Sequence, residues 1–174
     1  MGFFLFSKDE TYVREISREL DAPVSSIKRE MDNLISFGFI EKKGRRIFLN
    51  KKLNIIKELK NIFIKTDFIA YPIEEVLRKN KKIKYALIFG SFARGDYSFE
   101  SDIDLMVIGE IKLDSVIKII KPVEEKIRRD INPVVWKIED FVEKKKEGFV
   151  RDLFSKKIIM LKGDENELRK IVQR

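Results

Sequence analysis

Two carboxylates, Asp102 and Asp104, stand one residue apart at the head of an apolar run, Asp102-Ile103-Asp104-Leu105-Met106-Val107-Ile108. The run has strand length, and alternate residues of a strand project to the same face. Both carboxylates are therefore predicted to point the same way. Two like charges side by side repel, and one tends to stay protonated unless a cation joins them. Mg²⁺ is commonly held by one or two carboxylates together with substrate phosphates, so the pair is a candidate metal site. A second apolar run, Tyr85-Ala86-Leu87-Ile88-Phe89, ends in Gly90-Ser91. A glycine at a strand end lets a ligand approach the backbone closely. A helix opening over Ser91 to Arg94 would turn its free N–H groups toward an anion, and Arg94 adds a cation. The stretch reads as a phosphate cradle beside a metal-binding pair. The plainer alternative is a surface hairpin with two solvated aspartates, which the apolar adjoining strand argues against.

This motif resembles the signature of the DNA-polymerase-β-like nucleotidyltransferase superfamily: Gly90-Ser91, a spacer from Phe92 to Ser101, then Asp102-x-Asp104 between apolar residues. Gly90-Ser91-Phe92-Ala93-Arg94-Gly95 is similar to the turn of its minimal members. The resemblance implies Mg²⁺-dependent transfer of a nucleoside monophosphate from a nucleoside triphosphate to a hydroxyl acceptor. It implies Asp102 and Asp104 as catalytic metal ligands, and Gly90, Ser91 and Arg94 as nucleotide-binding residues. Members usually place a third carboxylate on a neighbouring strand, where it helps hold the metal that activates the acceptor. By position the candidates are Asp130 and Asn132. Asn132 stands where an acid is expected, and a neutral amide is a poorer metal ligand. Asp130 is then the candidate third catalytic and metal-binding residue, or it simply ends the preceding helix.

Composition narrows the chemistry. The 174 residues suffice for one ordinary domain or two small ones, and 44% hydrophobic content supports a core. The absence of cysteine excludes disulfides and thiolate metal sites. The absence of histidine removes the commonest general base, which leaves carboxylates and metal first among the catalytic groups. No run is long and apolar enough to span a membrane, and Met1 to Phe6 is too short for a signal segment. A cytoplasmic protein is expected. Net charge is +8, and residues 1–66 carry 14 Lys/Arg against 9 Asp/Glu. Such an excess suits nucleic acid or other phosphates, or else simply a lysine-rich solvated surface.

Residues 1–50 read as helix, helix, helix and hairpin. Gly2 to Phe6 is the expected end of a first helix. Val13, Ile16 and Leu20 have helical spacing, and Asp21-Ala22-Pro23 is a turn. Val24, Ile27, Met31 and Leu34 then share one face of a helix to about Phe37. A hairpin follows, with Lys42-Lys43-Gly44-Arg45-Arg46 at its tip. The order resembles a winged helix-turn-helix domain, which implies DNA binding. The second helix of the pair would enter the major groove, with Ser25, Ser26, Lys28 and Arg29 reading bases. Lys42, Lys43, Arg45 and Arg46 would contact phosphates, supplying affinity without sequence information. Such domains often dimerise, so a homodimer is one expectation; the alternative is a winged helix used only for protein contacts.

Residues 51–81 read as a helical connector, with Leu53, Ile56, Leu59, Ile62 and Phe63 as an apolar stripe and Pro72 interrupting or restarting a helix. After the aspartate pair come a helix over Leu113 to Ile127 and a strand over Ile131 to Trp136. Pro133 predicts an edge position for that strand. Shorter helices and one more strand follow, and the alternation argues for an α/β layer. The expected fold class is α/β (α+β): an N-terminal winged helix over 1–50, the connector, and a nucleotidyltransferase-like mixed sheet with flanking helices over 82–174. Three functions fit these features. One is a nucleotidyltransferase coupled to a DNA-binding module. Another is a DNA-binding regulator whose second domain senses nucleotide. The last is an antitoxin-like nucleotidyltransferase with a protein acceptor.

Overall fold

The computed structural model describes residues 3–4, 10–65, 69–98 and 101–173. The helix expected at Gly2 to Phe6 lies largely outside them. The chain forms two compact units, residues 1–60 and 61–174.

In the first unit, α1 (Val13–Glu19) and α2 (Val24–Ser36) bury Ile16, Ile27 and Met31. Between them Asp21 takes a left-handed φ of 47°, and Ser17 Oγ donates to the Ala22 carbonyl at 2.6 Å. The turn is thus held by the short polar residues that tolerate such angles. Strands β1 (Glu10–Thr11), β2 (Ile40–Lys43) and β3 (Arg46–Leu49) form an antiparallel sheet in the order β1-β3-β2. Gly44, at φ 61°, turns the β2–β3 hairpin. The two-residue strand β1 is absent from the sequence reading, because it is too short for alternation to show. The amphipathic helix α3 (Ile56–Lys65) follows. Of the expected stripe Ile56 is buried, Leu53, Leu59 and Phe63 are half-buried and Ile62 is 56% exposed, while Ile64, outside that stripe, is buried.

The second unit is built on strands β4 (Ile83–Phe89), β5 (Ile103–Gly109), β6 (Ile131–Trp136) and β7 (Ile159–Lys162), in the order β6-β5-β4-β7. β4 runs antiparallel to β5 and β7, and β5 runs parallel to β6. The helix α6 (Leu113–Ile127) makes the crossover that a parallel pair requires. β6 is an edge strand, as Pro133 predicts. The two central strands are covered on both faces, which is why they read as nearly continuous apolar runs rather than alternating ones. On one face Tyr85, Leu87, Met106 and Ile108 meet Phe141 of α7 (Ile138–Glu143), Val150 and Leu153 of α8 (Gly148–Ser155), and Leu168 of α9 (Glu165–Gln173). Ala86, Ile88, Leu105 and Val107 of the alternate set are also fully buried. Helix α4 (Ala70–Arg78) packs on β7 and α6, with Pro72 in its first turn where no N–H is needed.

Candidate active site

Strand β4 ends at Phe89, and the chain turns directly into the short helix α5 (Gly90–Arg94). The turn depends on Gly90. Its φ is 70°, and a Cβ built on it would overlap Asp104 Oδ2. The missing side chain is the space that the Asp104 carboxylate fills. The Ser91 carbonyl accepts the Gly95 and Asp96 N–H groups at 2.8 and 3.1 Å, which closes the other end of α5. Phe92, fully buried, stacks on Tyr97 with ring centroids 4.3 Å apart.

Asp104 lies opposite Phe89 in the antiparallel pair and opposite Asn132 in the parallel pair. Asp102 precedes the first residue of β5 and is exposed, while Asp104 is half-buried. Burial pushes the Asp104 carboxyl above its ordinary value; the nearby Asp102 charge pushes the same way, and Arg94 opposes both. The Asp102 charge and Arg94 therefore both act on the Asp104 carboxyl, in opposite directions. Such a pair favours a bound cation, and Gly90 leaves it room.

Asn132 and Asp130 take different places. Asn132 Nδ2 donates to Asp102 Oδ2 at 3.0 Å, so the amide braces one carboxylate of the pair. The Asp130 carbonyl accepts the Ile103 N–H at 3.0 Å. Asp130 borders a separate cavity with Lys121, Glu124 and Arg128. Among the described residues no three acids converge to hold a metal ion, so Asp130 does not complete a three-carboxylate cluster with Asp102 and Asp104. The spacing of two residues placed Asn132, not Asp130, level with Asp104 on the strand.

Several neighbours escape sequence reading. Arg129, only 9% exposed, donates to the Ser101 carbonyl at 2.9 Å and lies over the Phe92 ring at 5.6 Å. It ties the segment before Asp102 to the start of β6. On the other side, a cavity of about 160 Å³ opens between α5 and α8, bordered by Phe89, Gly90, Arg94 and Phe149. Lys156 and Lys157, which follow α8, line it too. Phe149 meets the rings of Phe89 and Trp136 edge-on at 5.9 and 5.7 Å. Nothing in the local pattern around 149–157 signals this, because Phe89, Gly90 and Arg94 lie some fifty-five to seventy residues earlier in the chain.

The residues predicted to meet DNA all lie in the first unit. Ser25, Ser26, Lys28 and Arg29 are exposed on α2, and Lys42, Lys43, Arg45 and Arg46 are exposed on the β2–β3 hairpin. Arg46 pairs with Glu10 at 2.9 Å, and Lys43 lies over the Phe48 ring at 5.6 Å. Among the described residues no helix is long and apolar enough to cross a membrane.

The chain belongs to the polymerase beta nucleotidyltransferase family, whose profile matches residues 72–166. A Methanocaldococcus jannaschii protein named a putative protein adenylyltransferase is 39% identical over 72 residues, 41% of this chain and 72% of its own length. A second protein of that organism, named likewise, is 55% identical over 42 residues, 20% of this chain and 42% of its own length. Among solved structures, a toxin–antitoxin with AMP-PNP aligns at a TM-score of 0.45 and 19% identity, covering 60% of this chain and 81% of that one.

Proposed function

We propose that the second unit transfers a nucleoside monophosphate from a nucleoside triphosphate to a hydroxyl acceptor, with Mg²⁺ held by Asp102 and Asp104. The observation that carries this is the fit of the Asp104 carboxylate into the space left by Gly90, beside Asp102 and Arg94. Bound Mg²⁺ would neutralise the pair and polarise the phosphate oxygens. Gly90 seats the Asp104 carboxylate, and Ser91 and Arg94 hold the triphosphate beside it. In the reaction the acceptor oxygen bonds to the α-phosphorus, the bond from that phosphorus to the β-bridging oxygen breaks, and diphosphate leaves. The hydroxyl proton passes to solvent. The names of the two Methanocaldococcus jannaschii relatives favour an adenylyl donor such as ATP and a protein acceptor, in keeping with an antitoxin-like transferase. The test is incorporation of labelled nucleotide into a panel of protein and nucleic-acid acceptors, with Mg²⁺ and with chelator. Transfer that chelator abolishes supports the reading; no transfer to any acceptor overturns it.

Asn132 sets how firmly the cation is held. Its amide contributes no charge, so the site offers two carboxylates where Asn132→Asp would offer three. That variant is expected to tighten Mn²⁺ binding several-fold, read by the loss of the free-ion signal in electron paramagnetic resonance titrations. Unchanged binding would mean that position 132 does not face the cation.

A second reading concerns the first unit, and the exposed cations of its hairpin favour it. We propose that it is a winged helix that binds duplex DNA through its phosphates. Replacing Lys42, Lys43 and Arg45 together by alanine is expected to lower the slope of log K against log salt by about 0.9 for each phosphate no longer neutralised. A wild-type chain that binds no duplex at low salt would remove this reading and leave the transferase untouched.

A further inference from the structure

We propose that the cavity between α5 and α8 receives the outer phosphates of the nucleoside triphosphate, with Lys156 and Lys157 as their binding side chains. This rests on the transferase reading and names the part of the site that holds the leaving diphosphate.

Register brings the lysines there. β4 and β7 are antiparallel, with Ile88 opposite Ile159. Lys156 and Lys157 come just before β7, at the end of the sheet where β4 turns into α5. The cavity therefore borders the same glycine that cradles Asp104, from the α8 side. A triphosphate whose inner phosphate meets Asp102 and Asp104 can extend past Gly90 into it.

Charge and size select phosphate. The lining carries three cations, Arg94, Lys156 and Lys157, against one carboxylate, Asp152. Arg94 pairs with Asp96 at 3.0 Å and Lys156 with Asp152 at 2.6 Å, but these partners are largely exposed. Exposed pairs contribute little and yield readily to a polyanion. Among the described residues Lys157 makes a long contact, 3.5 Å, to Asn61 Oδ1. Pockets that enclose a whole drug-sized ligand run about 300–1,000 Å³, so a cavity of about 160 Å³ takes part of a nucleotide, and its cations choose the phosphates.

The experiment is calorimetric titration of the full chain with ATP, AMP and inorganic diphosphate, each with Mg²⁺, for wild type, the double variant Lys156→Gln/Lys157→Gln, and Asp152→Asn. The double variant is expected to weaken ATP and diphosphate about 10- to 100-fold, as the loss of charge-assisted hydrogen bonds predicts, and to leave AMP within about twofold. Asp152→Asn is expected to tighten ATP, a gain that misfolding cannot mimic. Unchanged ATP affinity in the double variant, or equal weakening of ATP and AMP, overturns the assignment while a wild type that transfers nucleotide keeps the transferase reading. A wild type that binds neither ATP nor diphosphate overturns both.

Discussion

Asp104→Asn is expected to abolish nucleotide transfer and, in the same protein, to raise the melting temperature when no divalent cation is present. The loss of activity follows from charge. In the proposed site the cation loses one of its two carboxylates, and removing a preorganised electrostatic group typically costs about 10²–10³ in kcat. The gain in stability follows from the opposite face of the same arrangement. Burial and the Asp102 charge raise the proton affinity of Asp104 in the folded chain. A carboxyl whose folded pKa is raised contributes its stability at low pH and loses it as pH rises through that value. At pH 7 the ionised Asp104 therefore opposes folding, and asparagine removes that opposition. Calorimetric melting at pH 7 should place the variant above wild type in chelator. Adding Mg²⁺ should narrow or reverse the gap, because only wild type gains a neutralising cation. A variant that melts below wild type in chelator would show that Asp104 is a structural acid rather than a strained one.

Gly90→Ala is expected to cut transfer at least about 100-fold, with a smaller loss of stability. Two penalties act together. A left-handed φ costs an L residue about 1–2 kcal/mol, and the new methyl group would occupy the place of Asp104 Oδ2. The carboxylate must swing away, which takes it from Asp102 and from the phosphates together. Gly44→Asn supplies the contrast. Gly44 has a comparable φ of 61°, but nothing lies within 4 Å of its would-be Cβ, and asparagine tolerates the angle. That substitution should leave transfer unchanged. Steady-state rates of both variants decide the matter: an active Gly90→Ala enzyme would mean that the Asp104 position is adjustable and that the cradle is not the reason for glycine.

The two substitutions also separate what was legible in the chain from what was not. Gly90-Ser91 and Asp102-x-Asp104 are visible because their chemistry is packed into adjacent residues, and the strands around them announce themselves by composition. Pro133 disclosed an edge strand for a similar reason, since a residue without an N–H cannot sit in the middle of a sheet. The strand Glu10–Thr11 was invisible because two residues carry no period.

The amino-acid sequence by itself determined the carboxylate pair, the glycine turn and the apolar strands that carry them, because each follows from residue type and short-range spacing. Only the tertiary structure decided that Asn132 braces Asp102, that Asp130 borders a different cavity, and that Phe149, Lys156 and Lys157 stand beside Gly90. Those outcomes depend on strand order, register and the packing of α8 on the sheet. The contact of Asn132 with Asp102 joins residues thirty positions apart, and those of Phe149, Lys156 and Lys157 with Gly90 join residues about sixty to seventy apart, so no local periodicity encodes them.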